Sequence, residues 1–256
     1  MEVFAVPAFD DNYLWVLANG RCAAVVDPGD AEAIERFLAG RGLELKAILA
    51  THHHGDHVGG LQALKARWKC PAWGPAGEDI AGLDHRLREG DRVTVPGIDE
   101  TFRVLDVPGH TAGHIAYVRE GGEPMVFCGD TLFACGCGRL FEGTAAQMVE
   151  SLSKLKALPP QTRAYCAHEY TMSNIRFAEA VEPGNLALRE RNSREAAKRA
   201  RGEPTVPMTI GEERATNPFL RWDAPEVVAS AERRAGHALD GPVAVFATVR
   251  EWKNRF

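Results

Sequence analysis

The sequence lacks several features that mark common classes of protein. No apolar run approaches the ~20 residues that a membrane-spanning helix needs. Acidic residues outnumber basic ones, 35 to 30, and the resulting formal charge of −5 argues against a general binder of nucleic acid or of membrane surfaces. The opening segment MEVFAVPAFDDNY also lacks the basic start and long apolar stretch of a secretory signal. These absences predict a cytoplasmic protein with neither a nucleic-acid nor a membrane partner.

The cysteines contain no C-x-x-C pair, which excludes a zinc ribbon, and their scatter is not that of a disulfide framework. We therefore interpret them as reduced thiols that mostly fill apolar space. Cys135 and Cys137 lie close to other residues of interest, which leaves a role at a site open for these two. The six cysteines are Cys22, Cys70, Cys128, Cys135, Cys137 and Cys166.

As far as about residue 170, short apolar runs that predict strands alternate with turns and helical patterns, which is typical of sheets covered by helices. The helix DAEAIERFLAG has Asp30 as its predicted N-cap and Gly40 as its end. A second helix, TAAQMVESLSKLKAL, is predicted over 144–158. The predicted strands are NYLWVLA, CAAVVDPG, LKAILA, TFRVLDV, HIAYVRE, PMVFCGD and RAYCA.

Beyond His168 the pattern changes to helices. The segments TMSNIRFAEAV, NLALRERNSREAAKRA and PEVVASAERRAGHAL have helical period, and no strand pattern of comparable quality remains. The segment GEPTVPMTIGEERATNPFLR, which joins two of them, is predicted to be extended. We therefore predict an α/β fold in which residues 1–168 form one domain and residues 169–256 form a helical C-terminal domain.

Four histidines and an aspartate fall within the segment THHHGDHVGG, residues 51–60. Because side chains alternate along a chain that leaves a strand, His52 and His54 are expected on one side and His53 on the other. Gly55 permits a turn, after which a helix, HVGGLQALKARW, is predicted to begin near Asp56 and His57. Two pairs of ligands from one loop exceed the need of one catalytic metal, which must keep a position open for chemistry. The segment therefore indicates two metals side by side.

Further candidate ligands stand at the ends of predicted strands: His110 in DVPGH, Asp130 in VFCGD and His168 in YCAH. A rigid scaffold can direct strand-end side chains into one cleft, so these residues could complete two metal sites, with one carboxylate shared between them. Taken alone, either histidine could instead be a surface or core imidazole, and the aspartate could cap a turn. The remaining histidines are interpreted as non-ligands: His53, His85, His114 and His237.

The string T-H-x-H-x-D-H at 51–57 resembles the signature of the metallo-β-lactamase superfamily, and the three strand-end candidates stand in the order of its later ligands. The segments CGDTLFACGCGRLFEGTAAQM, CAHEYTMSN, NPFLR and VREWKNRF are similar to those of the glyoxalase II, or hydroxyacylglutathione hydrolase, family. This resemblance covers essentially the whole chain. It implies an αββα sandwich of two mixed sheets covered by helices, with the metals at one sheet edge. It also implies a helical C-terminal domain that contributes to thioester binding.

The resemblance implies a role for each candidate residue. One metal is expected on His52, His54 and His110, and the other on Asp56, His57 and His168, with Asp130 as the bridge. The glutathione contacts are expected on Arg139, Phe141, Tyr170, Arg250 and Lys253. Some relatives carry a lysine where Arg139 stands and a tyrosine where Phe141 stands. Arg139 keeps the charge, whereas Phe141 lacks the hydroxyl.

The implied reaction is hydrolysis of S-(2-hydroxyacyl)glutathione, typically the D-lactoyl thioester, as the second step of methylglyoxal detoxification by a monomeric enzyme. Two divalent metals would lower the pKa of a bridging water so that it attacks as hydroxide. Zinc is expected, although iron and manganese accept the same ligands. A thiol, with a pKa near ~8.5, leaves as thiolate without a dedicated acid, which favours thioesters over amides. Glutathione is anionic, so a protein of net charge −5 needs a local positive patch for this substrate.

Other functions compete with this interpretation. A glutathione persulfide dioxygenase of the same superfamily would use a single iron, but the long helical C-terminal domain and the REWK ending argue against it. A β-lactamase would leave the glutathione-binding segments unexplained. A non-catalytic metal-binding module, in which the metal is structural, rarely needs an open dinuclear centre.

Overall fold

The structure, a computed structural model, describes every residue from Met1 to Phe256. The chain forms two compact units that alternate along the sequence. The first unit contains residues 1–106 and 111–129, and the second contains residues 107–110 and 130–256. No helix is both long enough and apolar enough to cross a membrane. Neither unit ends at residue 168, so the domain boundary predicted there stays a prediction.

The first unit contains a mixed sheet of six strands that lie in chain order. The first three strands are antiparallel, and the third to sixth are parallel. The strands are β1 (Glu2–Ala8), β2 (Asn12–Asn19), β3 (Cys22–Val26), β4 (Glu44–Leu49), β5 (Ala72–Pro75) and β6 (His85–Leu87), and the helices of this part are α1 (Ala31–Arg41), α2 (Gly55–Val58) and α3 (Leu61–Trp68).

Helices α1 and α3 cover this sheet. Ile34 of α1 and Leu64 of α3 are fully buried with Val25 and Ile48 of the sheet in one apolar cluster. A parallel pair such as β3 and β4 requires a crossover connection, which α1 supplies. The end of β4 is therefore fixed between a packed helix and neighbouring strands, and the histidine-rich segment starts directly after it.

The first unit also contains an antiparallel set of four strands, each paired with the next in the chain. These strands are β7 (Arg92–Val95), β8 (Glu100–Asp106), β9 (Ile115–Glu120) and β10 (Met125–Gly129). The connection from β8 to β9 carries His110, and Asp130 follows β10 at once. Two of the predicted strand ends thus exist where the sequence placed them.

The second unit consists mainly of helices. Helix α4 begins with a capping box in which Thr144 and Gln147 bond reciprocally. The paired strands of this unit are short and antiparallel. Its elements are β11 (Leu132–Phe133), β12 (Gly136–Cys137), α4 (Ala145–Lys156), β13 (Arg163–Cys166), α5 (Thr171–Val181), α6 (Leu186–Ala200), β14 (Met208–Thr209), α7 (Ile210–Thr216), α8 (Pro225–Ala235) and α9 (Gly241–Asn254).

Two predicted helix boundaries were wrong. Asp30 caps α1 as expected, but the helix passes Gly40 and ends at Arg41, because Gly42 adopts the left-handed conformation (φ +63°) and bonds to the Ala39 carbonyl. The helix predicted after the histidine cluster begins earlier, at Gly55, and is interrupted by the glycine pair at 59–60. It therefore forms two short helices, α2 and α3.

The segment predicted to be extended contains β14 and α7. β14 pairs with β13, Arg163 opposite Thr209, so one short strand lies beyond His168, where the sequence shows no clear strand pattern. The Thr209 hydroxyl accepts from the Glu212 N–H and starts α7. These elements are two and seven residues long, and such short elements show too few residues for a hydrophobic period.

Candidate metal centre and substrate site

A buried aspartate holds the segment that follows β4. Asp27, at the end of β3, accepts hydrogen bonds from the Thr51 N–H (2.7 Å) and the Thr51 hydroxyl (2.8 Å). The same carboxylate lies 3.0 Å from His57 Nδ1. An ionised carboxylate only accepts, so Nδ1 carries the proton and Nε2 is the nitrogen of His57 that can bind a metal. Sequence reasoning missed Asp27, although a polar residue directly after the buried run CAAVV was a signal.

The imidazoles of this segment lie close together. The ring centroid of His52 is 4.7 Å from that of His54 and 4.0 Å from that of His57. His52 Nδ1 lies 3.0 Å from Thr51 Oγ1. Because the Thr51 hydroxyl donates to Asp27, it accepts from His52 Nδ1–H, which leaves Nε2 of His52 as the ligating nitrogen. His53 is directed elsewhere, with Nδ1 3.0 Å from Glu78 Oε2, in agreement with the expected alternation.

Asp56 and the glycine pair follow in the same segment of the first unit. Asp56 Oδ2 accepts from Asn12 Nδ2 (2.9 Å) and lies 3.5 Å from His57 Nε2. A Cβ at Gly60 would lie 2.6 Å from both the Pro28 carbonyl oxygen and the Ala31 nitrogen. The glycines thus allow the chain after His57 to approach the connection between β3 and α1.

The second unit brings together the other three candidates. Asp130 Oδ2 lies 3.4 Å from His110 Nε2 and 3.4 Å from His168 Nε2, and all three side chains are buried. His110 Nδ1 donates to the Arg139 carbonyl (2.9 Å), so its Nε2 faces the carboxylate. The His168 ring stacks on Tyr170 with centroids 4.7 Å apart. The hydrogen bond of His110 is typical of metal-binding histidines, in which one ring nitrogen donates a hydrogen bond and the other binds the metal.

Asp130 is followed by the β11–β12 hairpin. Buried side chains of the helical segment form hydrogen bonds with the backbone of this hairpin. Cys135, at the turn, adopts φ +54°, a conformation that non-glycine residues seldom take. The contacts are Asn174 to the Ala134 carbonyl (3.0 Å), Asn217 to the Gly136 carbonyl (2.9 Å), Arg250 to the Cys137 carbonyl (2.9 Å), and the Cys135 N–H to Glu213 (2.8 Å). The hairpin is therefore positioned by helices α5, α7 and α9.

The side chains expected to bind glutathione differ in exposure. Arg139 and Phe141 are exposed, and the Phe141 ring lies 5.3 Å from the ring of His110. Tyr170 is half-buried through its stacking on His168. Arg250 is only 5% exposed, and its Nε donates to Asn254 (3.1 Å). Arg250 thus also holds the hairpin through its hydrogen bond to the Cys137 carbonyl, a role that its position in the sequence did not reveal.

Lys253 lies among positive charges. Its Nζ donates to the Ser173 carbonyl (3.2 Å). Burial is the main cause that lowers the pKa of Lys253 to about 8, and the charges of Arg250, Arg176 and Arg139 add to it. We call Arg139, Arg176, Arg250 and Lys253 the cationic cluster. Arg176, on α5, was missed by sequence reasoning, because nothing in the sequence brings α5 to the end of α9.

The two cysteines near the site and the histidines interpreted as non-ligands have other contacts. Burial raises the pKa of the Cys135 thiol to about 12 and that of Cys137 to about 11, so both remain protonated apolar fillers at neutral pH. No cysteine forms a disulfide. His114 is buried and stacks on His52, with centroids 4.5 Å apart, and His85 stacks on Trp73. His237 is exposed.

Comparison with known proteins divides the chain between two family models. Residues 9–168 match the metallo-beta-lactamase superfamily, and residues 169–256 match the hydroxyacylglutathione hydrolase C-terminus. The chain is 56% identical over 265 residues to the hydroxyacylglutathione hydrolase of Cupriavidus taiwanensis, covering 100% of this chain and 99% of that protein.

Solved structures share the fold. ETHE1 from Myxococcus xanthus has a TM-score of 0.66 and 26% identity, covering 99% of this chain and 98% of that one. TTHA1623, solved in a di-iron-bound form, has a TM-score of 0.61 and 26% identity, covering 85% of this chain and 100% of that one.

The predicted α/β fold of metallo-β-lactamase type, with its helical C-terminal region, is confirmed. The fold and its clusters of histidine and aspartate support binding of divalent metal ions. The full-length agreement of both models and of the curated relative places this chain in the hydroxyacylglutathione hydrolase family of thioester hydrolases, within the metallo-β-lactamase superfamily.

Proposed function

We propose that this chain hydrolyses S-(2-hydroxyacyl)glutathione, with S-D-lactoylglutathione as its typical substrate, to the hydroxy acid and glutathione. The observation that carries the proposal is the match of residues 169–256 to the hydroxyacylglutathione hydrolase C-terminus, because this segment supplies Tyr170, Arg250 and Lys253. The reaction would be the second step of methylglyoxal detoxification, performed by a monomer in the cytoplasm.

The proposed metal ligands are His52, His54 and His110 for one ion and Asp56, His57 and His168 for the other, with Asp130 shared. Contacts within each unit support this assignment. In the first unit the His52 ring centroid lies 4.7 Å from that of His54 and 4.0 Å from that of His57, and in the second unit Asp130 Oδ2 lies 3.4 Å from both His110 Nε2 and His168 Nε2. The hydrogen bonds that leave Nε2 of His52, His57 and His110 as the ligating nitrogen also fit metal binding.

Zinc is the proposed metal, since imidazole and carboxylate suit it. Iron is the alternative, and TTHA1623, with the same fold, was solved with two irons. When bound, two divalent ions supply a water of lowered pKa and polarise the thioester carbonyl. The chain itself would orient the substrate next to them.

The cationic cluster is proposed to bind the carboxylates of glutathione. Arg139 offers a planar fork to a carboxylate, and Lys253 a point charge. Tyr170, held against His168, and the exposed Phe141 ring would contact the peptide portion of the substrate. The thiolate leaves without a proton donor, because its conjugate acid has a pKa near ~8.5.

The proposed domain boundary lies where the two family models meet, between residues 168 and 169. Residues 1–168 would form the catalytic domain, and residues 169–256 would contribute to binding of the thioester.

The test is loss of thioester absorbance from S-D-lactoylglutathione, with elemental analysis of the same zinc-loaded sample. We expect turnover by the wild type, and loss of metal and activity together in Asp130→Ala. Oxygen uptake with glutathione persulfide, or hydrolysis of nitrocefin, in place of thioester hydrolysis would reassign the chain to a dioxygenase or a β-lactamase. Metal content without any turnover would indicate a non-catalytic module.

A further inference from the structure

Glu78 is a buried carboxylate in the first unit that belongs to no proposed ligand set. It lies between β5 and β6 and is 7% exposed. Its Oε1 accepts from the Thr111 hydroxyl and from the Gly113 N–H (3.2 Å), and its Oε2 lies 3.0 Å from His53 Nδ1. A buried carboxylate is costly unless donors surround it, and here three donors do.

The partners of Glu78 stand next to proposed ligands in the chain. His53 lies between His52 and His54, and Thr111 follows His110 directly. The Glu78 carboxylate therefore joins the histidine-rich segment after β4 to the turn that follows His110.

The turn is also packed tightly against the Glu78 segment. A Cβ at Gly113 would lie 2.5 Å from Glu78 Cγ and 2.8 Å from the Gly77 carbonyl carbon. The segment itself is fixed from the other side, since Arg86 donates to the Glu78 carbonyl (2.8 Å). Glu78 is thus held by its backbone while its side chain holds two other segments.

We propose that Glu78 is a positioning residue for the metal centre, acting through His53 and through the turn from Thr111 to Gly113. By fixing the backbone next to three proposed histidine ligands, it limits the positions that their rings can take. Ligand groups must be held within about 0.5 Å to bind with full strength, and residues behind the ligands provide this. The proposal deepens the proposed function and rests on its metal ligands, but not on its substrate. His53, which is not a proposed ligand, then has the role of connecting the histidine-rich segment to Glu78.

The experiment measures zinc affinity of the metal-free protein by competition with a chelator, together with its thermal unfolding without metal. Glu78→Ala is expected to weaken zinc binding about 10- to 100-fold, as loss of a residue behind a ligand usually does. Glu78→Gln should restore most of the affinity, because its amide oxygen accepts from Thr111 and Gly113 and its amide N–H can donate to His53. Glu100→Ala is the matched control, since it removes another ion-paired glutamate, bonded to Arg119 at 2.7 Å, from the same unit. Its zinc affinity should not change.

A double-mutant cycle separates positioning from folding. His53 is 34% exposed in its side chain, so His53→Ala should fold even if Glu78→Ala does not, and it should weaken zinc binding by about ten-fold. In the double variant the two effects should not add, because residues that act through one contact are coupled. Unchanged zinc affinity in His53→Ala, or a lowered melting temperature with normal affinity in Glu78→Ala, would overturn the proposal. If the wild type binds zinc but does not hydrolyse the thioester, the proposed function fails and the role of Glu78 stands.

Discussion

Asp27 decides which nitrogen of His57 can bind a metal. Its carboxylate accepts three hydrogen bonds, two from Thr51 and one from His57 Nδ1. An asparagine would fit the same left-handed backbone (φ +54°), which asparagine tolerates well. Its amide group, however, can donate where the aspartate only accepts.

We therefore predict that Asp27→Asn folds but binds zinc about 10- to 100-fold more weakly. An amide that donates to His57 Nδ1 would move the ring proton to Nε2, which then cannot act as a ligand. Chelator competition measures the affinity, and circular dichroism checks the fold. Wild-type affinity in this variant would show that Asp27 does not control the tautomer.

Lys253 loses its charge at a pH only slightly above neutral. Its pKa is lowered to about 8, chiefly by burial and then by Arg250, Arg176 and Arg139, so the side chain is charged below pH 8 and neutral above it. KM for the anionic substrate should rise by about five-fold from pH 7 to pH 9 if the lost contact contributes ~1.4 kcal/mol, because about a tenth of the side chains are already neutral at pH 7 and about a tenth are still charged at pH 9. The value of kcat follows its own pH profile.

The variant Lys253→Met provides the comparison for this pH dependence. Its KM should already be raised at pH 7 and should show no step near pH 8. The amino group of the substrate titrates in both proteins and cancels in the ratio of the two KM values. An equal step in wild type and variant would assign the titration to another group.

The residues that sequence reasoning found and those that it missed differ in how far apart their partners stand in the chain. The four histidines and one aspartate at 51–57 are close together in the sequence, so their clustering was visible. Asp27 and Glu78 were missed, because each meets its histidine 30 and 25 positions away, respectively. The buried role of Arg250 depends on Cys137, 113 positions away. Only the folded chain brings such pairs together.

At the scale of elements, the glycine pair at 59–60 separates α2 from α3 so that the chain can pass close to the connection after β3. Gly60 itself has an ordinary backbone conformation (φ −87°), which other residues also adopt. Glycine is required there because the neighbouring backbone leaves no room for a Cβ. The sequence showed the two glycines within a helical pattern but not the neighbour that they approach. This is why one continuous helix was predicted there.

We predict that Gly60→Ala destabilises the protein by about 1–3 kcal/mol, because its Cβ would collide with backbone atoms that cannot yield. Gly40→Ala is the matched control: Gly40 lies within α1 with nothing within 4 Å of a Cβ. Alanine there should stabilise the helix by ~0.5–1 kcal/mol. Urea unfolding of the two variants measures both effects. A Gly60→Ala variant as stable as the wild type would mean that the β3–α1 connection moves freely.

At the scale of the whole molecule, net charge and local charge oppose each other. The protein carries a formal charge of −5, which repels an anionic thioester, whereas the cationic cluster attracts it. Both effects weaken as salt shortens the screening length from ~10 Å at 0.1 M to ~3 Å at 1 M. The direction of the salt effect therefore reports which of the two dominates at the site.

Because the cluster lies close to the proposed binding position and the acidic residues are spread over the chain, we expect local attraction to dominate. KM for S-D-lactoylglutathione should rise about two- to five-fold between 0.05 M and 0.5 M sodium chloride, with kcat unchanged, as screening weakens steering and binding. The rise should be smaller for Lys253→Met and absent for an uncharged thioester, which serves as the control. A fall in KM with salt would mean that overall repulsion outweighs the cluster, and Arg139, Arg250 and Lys253 would then lose their proposed role as the binding site for the glutathione carboxylates.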